Sequence, residues 1–210
     1  MIKRIDDFIF DETFLPTEEF IKNFCASPSA NLVHLIYITG GTATGKSDLL
    51  NVFGTELMLN NPTQKIKVVD SNDIIAHFLQ LSDQNNLKDF VPHYLKSDLI
   101  LIDNYELLND KPKTNRMIIH LLAELLKANK KIIISSFDKK GFVSINKAFP
   151  NINAQTIDLN NNTIDYDKLI KSKSRLFGLV ETNHRINSRD IREIEGFLKG
   201  IKFLATSNAH

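Results

Sequence analysis

Short apolar runs alternate with longer amphipathic stretches along most of the chain. The runs are "HLIYIT" (34–39), "KIKVVD" (65–70), "SDLILID" (97–103), "KKIIISS" (130–136) and "AQTIDL" (154–159). Each is short, rich in strand-forming residues and bounded by polar ones, as in strands buried on both faces of a parallel sheet. Helix-like segments follow the first three: "GKSDLLNVFGTELMLN", "SNDIIAHFLQLS" and "TNRMIIHLLAELLKAN". In the last of these, Met117, Ile118, Leu121, Leu122, Leu125 and Leu126 recur three and four apart and form one apolar stripe. Strand–helix alternation of this kind predicts an α/β fold, a doubly wound parallel sheet flanked by helices. The interval between the fourth and fifth runs, 137–153, reads as a loop.

After Leu159 the pattern changes. "NNNTID" (160–165) reads as a polar hinge, and no strand-like run follows it. Helices are expected over 165–173, over 174–183 and from Ser188 onward; the last carries Ile191, Ile194, Leu198 and Ile201 at helical spacing. The chain therefore divides into a core at 1–160 and a helical subdomain at 161–210. The subdomain is too small to be stable without docking on the sheet. No internal repeat is evident.

Composition narrows this picture in three places. The 26 basic and 25 acidic residues leave a net charge of +1, which argues against a bulk polyanion binder but leaves room for local basic patches. The lone cysteine, Cys25, permits no intrachain disulfide, fits a reducing compartment, and reads as a small buried hydrophobe. "MIKRIDDFIFDE" lacks the apolar run of a signal peptide, and no run approaches the ~18 residues of a membrane span. A cytoplasmic protein with no membrane partner is expected.

The chemistry begins directly after the first apolar run. Gly40, Gly41, Thr42, Ala43, Thr44, Gly45, Lys46 and Ser47 satisfy the P-loop pattern G-x-x-x-x-G-K-[ST], with Asp48 following. The glycines let the backbone turn so that successive N–H groups face phosphate oxygens, and the helix behind adds the positive end of its dipole. Lys46 would reach the β- and γ-phosphates, and Ser47 would ligate Mg²⁺. The pattern follows a strand-like run and opens a helix-like one, which is the context it requires. ATP or ADP with Mg²⁺ is the expected cofactor.

A second metal partner is expected at Asp103, where "LILI" ends at the C-terminal side of a buried strand. Many ATPases of this layout carry an acid at the next position, to orient the attacking water. Here that residue is Asn104, whose amide can orient water but cannot take a proton. Glu106, two residues on, is a weaker substitute. A polar group is also expected at the end of the strand beside the P-loop strand. The candidates in "IIISSFD" are Ser135, Ser136 and Asp138, with Ser136 taken as the γ-phosphate sensor.

With these pieces in order, the chain resembles the AAA+ module of the bacterial replication initiator DnaA and its shorter relative Hda. "IDDFIF" (5–10), which includes Ile9, looks like the family's N-terminal box, which lies against the adenine. "IYITGGTATGKSDLLNVFGTELM" follows the P-loop segment through its helix. "LKDFVPHYLKSDLILIDNYELLNDK" is similar to the stretch through the Walker B strand. "DIREIEGFLKGIKFLA" looks like the last lid helix, with Arg192 at the position of the sensor 2 arginine that reaches the phosphates. By spacing alone Arg192 would be a solvated polar-face residue. The resemblance implies a five-stranded parallel sheet of the P-loop AAA+ type capped by a small C-terminal helical lid, with nucleotide between them.

The departures shape the functional expectation. The chain ends at His210, just past the lid, so the initiator's helix-turn-helix recognition of double-stranded origin DNA is not expected. The interval 137–153 holds no arginine to serve as a finger, and Lys147 lacks the planar fork that spans two phosphate oxygens. "MIKRIDDF" does not match Hda's clamp-binding peptide. The leading expectation is a nucleotide-switched protein in replication initiation or its regulation, at most a slow ATPase. It would dock on a DnaA-type initiator, a helicase or a sliding clamp. The alternatives are an active oligomeric ATPase acting as helicase loader or remodeller, a weak single-stranded DNA binder using Lys65, Lys67, Lys111, Lys113 and Arg116, and a small-molecule kinase.

Overall fold

The computed structural model describes residues 4–5, 14–109 and 112–161, together with the isolated positions 174, 196 and 199. Five parallel strands form one sheet in the order β2-β3-β4-β1-β5. They are β1 (Leu35–Thr39), β2 (Ile66–Asp70), β3 (Leu99–Asp103), β4 (Lys131–Ser136) and β5 (Ala154–Asp158), each within one of the five apolar runs. Strands β1, β3 and β4 are almost wholly buried, and β2 and β5, at the edges, are only partly so. Continuous apolar runs in the centre and mixed ones at the edge are what a sheet covered on both faces demands.

Strand alternation sends successive side chains to opposite faces, and each face has its own core. On one, Ile36, Ile38, Leu99, Leu101, Ile133 and Ile157 pack under α1 (Leu15–Ala26) and α2 (Lys46–Asn60). On the other, Leu35, Tyr37, Ile100, Ile102, Ile132 and Ile134 pack under α3 (Ser71–Asp83), α4 (Phe90–Leu95), α5 (Glu106–Asn109), α6 (Pro112–Lys127) and α7 (Lys140–Ala148). Helix α2 is apolar on two sides because it is sandwiched. Gly54 faces Val68 and Leu101 on the sheet, while Phe53 meets Phe24 of α1 edge-on at 6.2 Å. The stripe predicted for α6 is buried at Met117, Ile118, Leu121, Leu122 and Leu125, with Leu126 partly buried.

The interval expected to be a loop contains α7. Its signal was weak because the helix has only nine residues and carries Gly141, a poor helix former. The glycine has a packing reason: a Cβ there would lie 2.6 Å from the Tyr37 hydroxyl and 2.7 Å from the Tyr105 ring. Close approach of α7 to the sheet outweighs helix propensity at that position.

The start of the chain is tied to α2. Buried Glu56 accepts from Arg4 Nε at 2.7 Å, Arg4 Nη2 at 3.2 Å and the Ile5 N–H at 3.0 Å. Cys25 is buried on the inner side of α1, and burial followed by the nearby Glu56 charge pushes its thiol up to about 12. It fills space, as expected. Ile9, Lys111, Arg192 and the lid helices expected after residue 164 lie outside the described residues. Among the described residues no helix is long and apolar enough to cross a membrane.

Candidate nucleotide site

The loop between β1 and α2 sits at the C-terminal edge of the sheet, where open α/β sheets bind ligands. Gly45, the residue before α2, has φ 91°, and Ala43 has φ 61°. Gly45 needs its missing Cβ because left-handed backbone costs an L-residue about 1–2 kcal/mol. Gly40 needs it for space, since a Cβ there would fall 2.5 Å from Thr44 Oγ1. The Gly41 carbonyl accepts from Lys46 Nζ at 2.7 Å and from Thr44 Oγ1 at 3.0 Å, so the lysine folds back along its own loop. Lys46 Nζ also lies 5.8 Å from the centre of the half-exposed Phe137 ring. Ser47, in the first turn of α2, is exposed. Helix α2 runs for 15 residues behind the loop and directs its positive end there.

A second group gathers at the ends of β2, β3 and β4. Asp70 and Asp103 are register partners, so both carboxylates leave the sheet on the α2 face. Ser135 leaves on that face too, and its hydroxyl donates a short hydrogen bond to Asp103 Oδ1. The Asn104 N–H donates to the same oxygen at 3.0 Å. Both bonds end on Oδ1, which leaves Oδ2 for a cation or its water shell. The backbone carbonyl of Asp103 accepts from Ser71 Oγ at 2.7 Å, which fixes the strand end from the α3 side. Asn104 has φ 57°, a left-handed conformation that asparagine tolerates better than most residues. This backbone carries its side chain towards β2, where Nδ2 donates to Asp70 Oδ2 at 2.6 Å. The other Asp70 oxygen caps α3, accepting from the Asn72 N–H at 2.8 Å and Asn72 Nδ2 at 2.9 Å.

A third chain of contacts ties the loop to the end of β5. Asn160 Oδ1 accepts the Gly41 N–H at 2.8 Å. Asp158 Oδ1 accepts from Asn160 N and Nδ2, each at 3.0 Å, while Asp158 Oδ2 meets Lys139 Nζ at 2.7 Å. Burial alone would raise the Asp158 pKa. The Lys139 and Asn160 hydrogen bonds outweigh it and hold the carboxyl below its ordinary value.

The family model described as the Bacterial DnaA ATPase domain matches residues 14–145, which include the P-loop, Asp103, Asn104 and both serines of β4. The chain belongs to this family. Among curated relatives, the chromosomal replication initiator protein DnaA of Lactococcus lactis subsp. lactis is 27% identical over 191 residues, covering 82% of this chain and 40% of the relative. The chain thus spans well under half of that initiator. A solved structure of the replication initiator DnaA bound to AMPPCP and single-stranded DNA is 25% identical with a TM-score of 0.75, covering 95% of this chain and 64% of that one. Domain III of the Thermotoga maritima DnaA is 17% identical but superposes with a TM-score of 0.82, covering 98% and 90% of the two chains, a likeness of fold.

Within the candidate site of this DnaA-family chain the residues expected from sequence fall into three groups. Gly40 to Asp48 and Asp103 come together at one edge of the sheet, with Asn104 beside them. Ser136 does not join them. Its buried hydroxyl leaves β4 on the opposite face, beside Tyr37, whose own hydroxyl donates to the Asp138 carbonyl at 3.0 Å. Glu106 is turned to the loop after β4, where Oε2 accepts the Phe137 N–H at 3.0 Å. Ile9 and Arg192 are outside the described residues. Of the two serines, Ser135 is the one that joins the site, and strand parity carries the signal, since it puts Ser135 with Ile133 on the α2 face. Two participants were missed. Asp70 needed the β2–β3 register, and Asn160 needed the fold of the β5 exit, which no short pattern carries.

Proposed function

We propose that this chain is a nucleotide-holding AAA+ module working in replication initiation or its regulation, and that it hydrolyses ATP slowly or not at all. The observation that carries the reading is Asn104. It stands where an acid would orient water, and its amide is bonded to Asp70 beside an otherwise complete phosphate cradle. In this reading ATP or ADP lies on Gly40 to Ser47, with Asp48 in the same turn, and Lys46 swings from the Gly41 carbonyl to the phosphates. Ser47 and Asp103 Oδ2 offer the oxygen donors that suit Mg²⁺, which prefers few protein ligands and several waters or phosphates. Ser135 orients Asp103. Residues 1–160 form the core and 161–210 the lid, from which Arg192 reaches the nucleotide, while Ile9 packs against the adenine. The setting is cytoplasmic.

The partner is another replication protein, engaged differently with and without nucleotide. Single-stranded DNA, present in the structure of the DnaA relative, is a weaker second ligand for this chain. Lys67 lies 5.7 Å from the Tyr94 ring, but Tyr94 and Phe90 are buried and offer bases no stacking surface. Strand binding would rest on phosphate contacts and fall steeply with salt.

The test is the resident nucleotide and its fate. Purified protein should retain ADP or ATP, lose it on Lys46→Ala, and show no burst of phosphate on ATP addition. Unaided turnover of about 1 s⁻¹ or faster, ordinary for an enzyme, would refute the reading.

A further inference from the structure

The contact between Asn104 and Asp70 has a polarity that matters. Two side chains of nearly equal size face each other from adjacent strand ends, one an amide and one a carboxylate, joined at 2.6 Å. We infer that Asp70 and Asn104 work as one carboxylate–amide pair: Asp70 positions residue 104, and an acid at position 104 requires an amide at position 70. The inference rests on the nucleotide reading above.

Three observations carry it. First, both oxygens of Asp70 are engaged, Oδ2 by Asn104 and Oδ1 by the α3 cap through Asn72, which fixes the carboxylate against its neighbours on β2 and α3. Second, Asn104 spends one Nδ2 hydrogen on Asp70; its other N–H can only donate to a water, and its carbonyl can accept from one without taking the proton. Third, the Asn104 backbone is held independently of its side chain, by its N–H on Asp103 Oδ1 and by the Tyr105 N–H on the Ser135 carbonyl at 2.9 Å. Changing the side chain therefore need not move the strand end. A carboxylate at position 104 would have no N–H to offer Asp70 Oδ2 and would set one acceptor against another where the 2.6 Å hydrogen bond now stands. An amide at position 70 facing a carboxylate at position 104 would keep the same hydrogen bond with donor and acceptor reversed.

In the exchanged protein, the carboxylate at position 104 would accept a proton from water as the water oxygen bonds to the γ-phosphorus. The bond from that phosphorus to the β–γ bridging oxygen breaks, ADP leaves, and the proton passes on to the released phosphate.

The experiment compares wild type, Asn104→Asp, Asp70→Asn and the double exchange. Thermal melts without nucleotide read the pairing. Asn104→Asp should lower the midpoint by about 4–8 °C, the order expected for losing one charge-assisted hydrogen bond in a chain of this size, and the double exchange should restore it. An Asn104→Asp protein that melts like wild type, or a double exchange that melts no better than Asn104→Asp, overturns the positioning role of Asp70. Phosphate release reads the chemistry. The double exchange should turn over ATP about 10²-fold faster than wild type, the low end for a placed general base, while Asp70→Asn gains nothing. A stable double exchange that binds a fluorescent ATP analogue and gains no hydrolysis overturns the assignment of the missing acid. Failure of all four proteins to bind the analogue condemns the nucleotide reading, and the melts still decide the pairing.

Discussion

Adjacent glycines in one loop should respond unequally to the same methyl group. A Cβ on Gly40 would lie 2.5 Å from Thr44 Oγ1, 3.3 Å from Thr44 Cβ and 3.2 Å from Leu159 Cβ. A Cβ on Gly41 would find nothing nearer than Asn160 Oδ1 at 3.5 Å. Neither has the left-handed backbone that Gly45 has, so the difference is one of space. The Thr44 hydroxyl cannot simply rotate away, because it donates to the Gly41 carbonyl and braces the turn. Overpacking at a tight site costs about 1–3 kcal/mol. If the loop relieves it by opening the cradle, the cost appears in binding as a loss of about 5- to 150-fold, at tenfold per 1.4 kcal/mol. Titration with a fluorescent ADP analogue measures it, with a thermal melt as the check on folding. Gly40→Ala should bind in that weakened range, Gly41→Ala within about twofold of wild type, and Gly40→Ala/Thr44→Ala should recover most of the loss. Equal losses at both glycines, or no recovery on trimming Thr44, would refute the steric account.

Other expectations follow from the same geometry. Ser135→Ala should weaken Mg²⁺-dependent nucleotide binding by removing the donor to Asp103, whereas Ser136→Ala should leave it unchanged; titrations with and without Mg²⁺ distinguish them. Gly141→Ala should lower the melting midpoint by about 2–8 °C, because overpacking against Tyr37 and Tyr105 exceeds the gain in helix propensity; Gly54→Ala, whose nearest contact is a 3.3 Å approach to a Val68 methyl, should leave the midpoint within about 2 °C of wild type. Cys25 should resist a thiol reagent at pH 8 until the protein is unfolded. Its thiol ionises near 9 when exposed and about 12 when folded, so its contribution to stability is complete below pH 9 and declines above it, which melts across that range would register.

Strands and the large helices were legible because burial on two faces leaves a plain signature. "LILI", "IIIS" and the α6 stripe had to be apolar wherever they sat in the sheet. Helix α7 was not legible, for a reason that belongs to tertiary structure: Gly141 serves the Tyr37 and Tyr105 rings, and a residue chosen for its neighbours misreports its own segment. Nor was the strand order, since nothing local in β5 says that it pairs with β1 beyond β4.

The site divides along the same line. A P-loop is contiguous, so one stretch of sequence contains its glycines, its lysine and its hydroxyl. The group proposed to set what the cradle does is assembled from three strands, and its logic is relational. Asn104 read alone is a lost acid, and Asp70 read alone is a helix cap. Only the β2–β3 register makes them one unit, with a carboxylate facing an amide at 2.6 Å and Asp103 held between that pair and Ser135. Asp70 is bonded on both oxygens, so its removal would strand the Asn104 amide and uncap α3 together. That coupling is the structural basis of the proposed holding role.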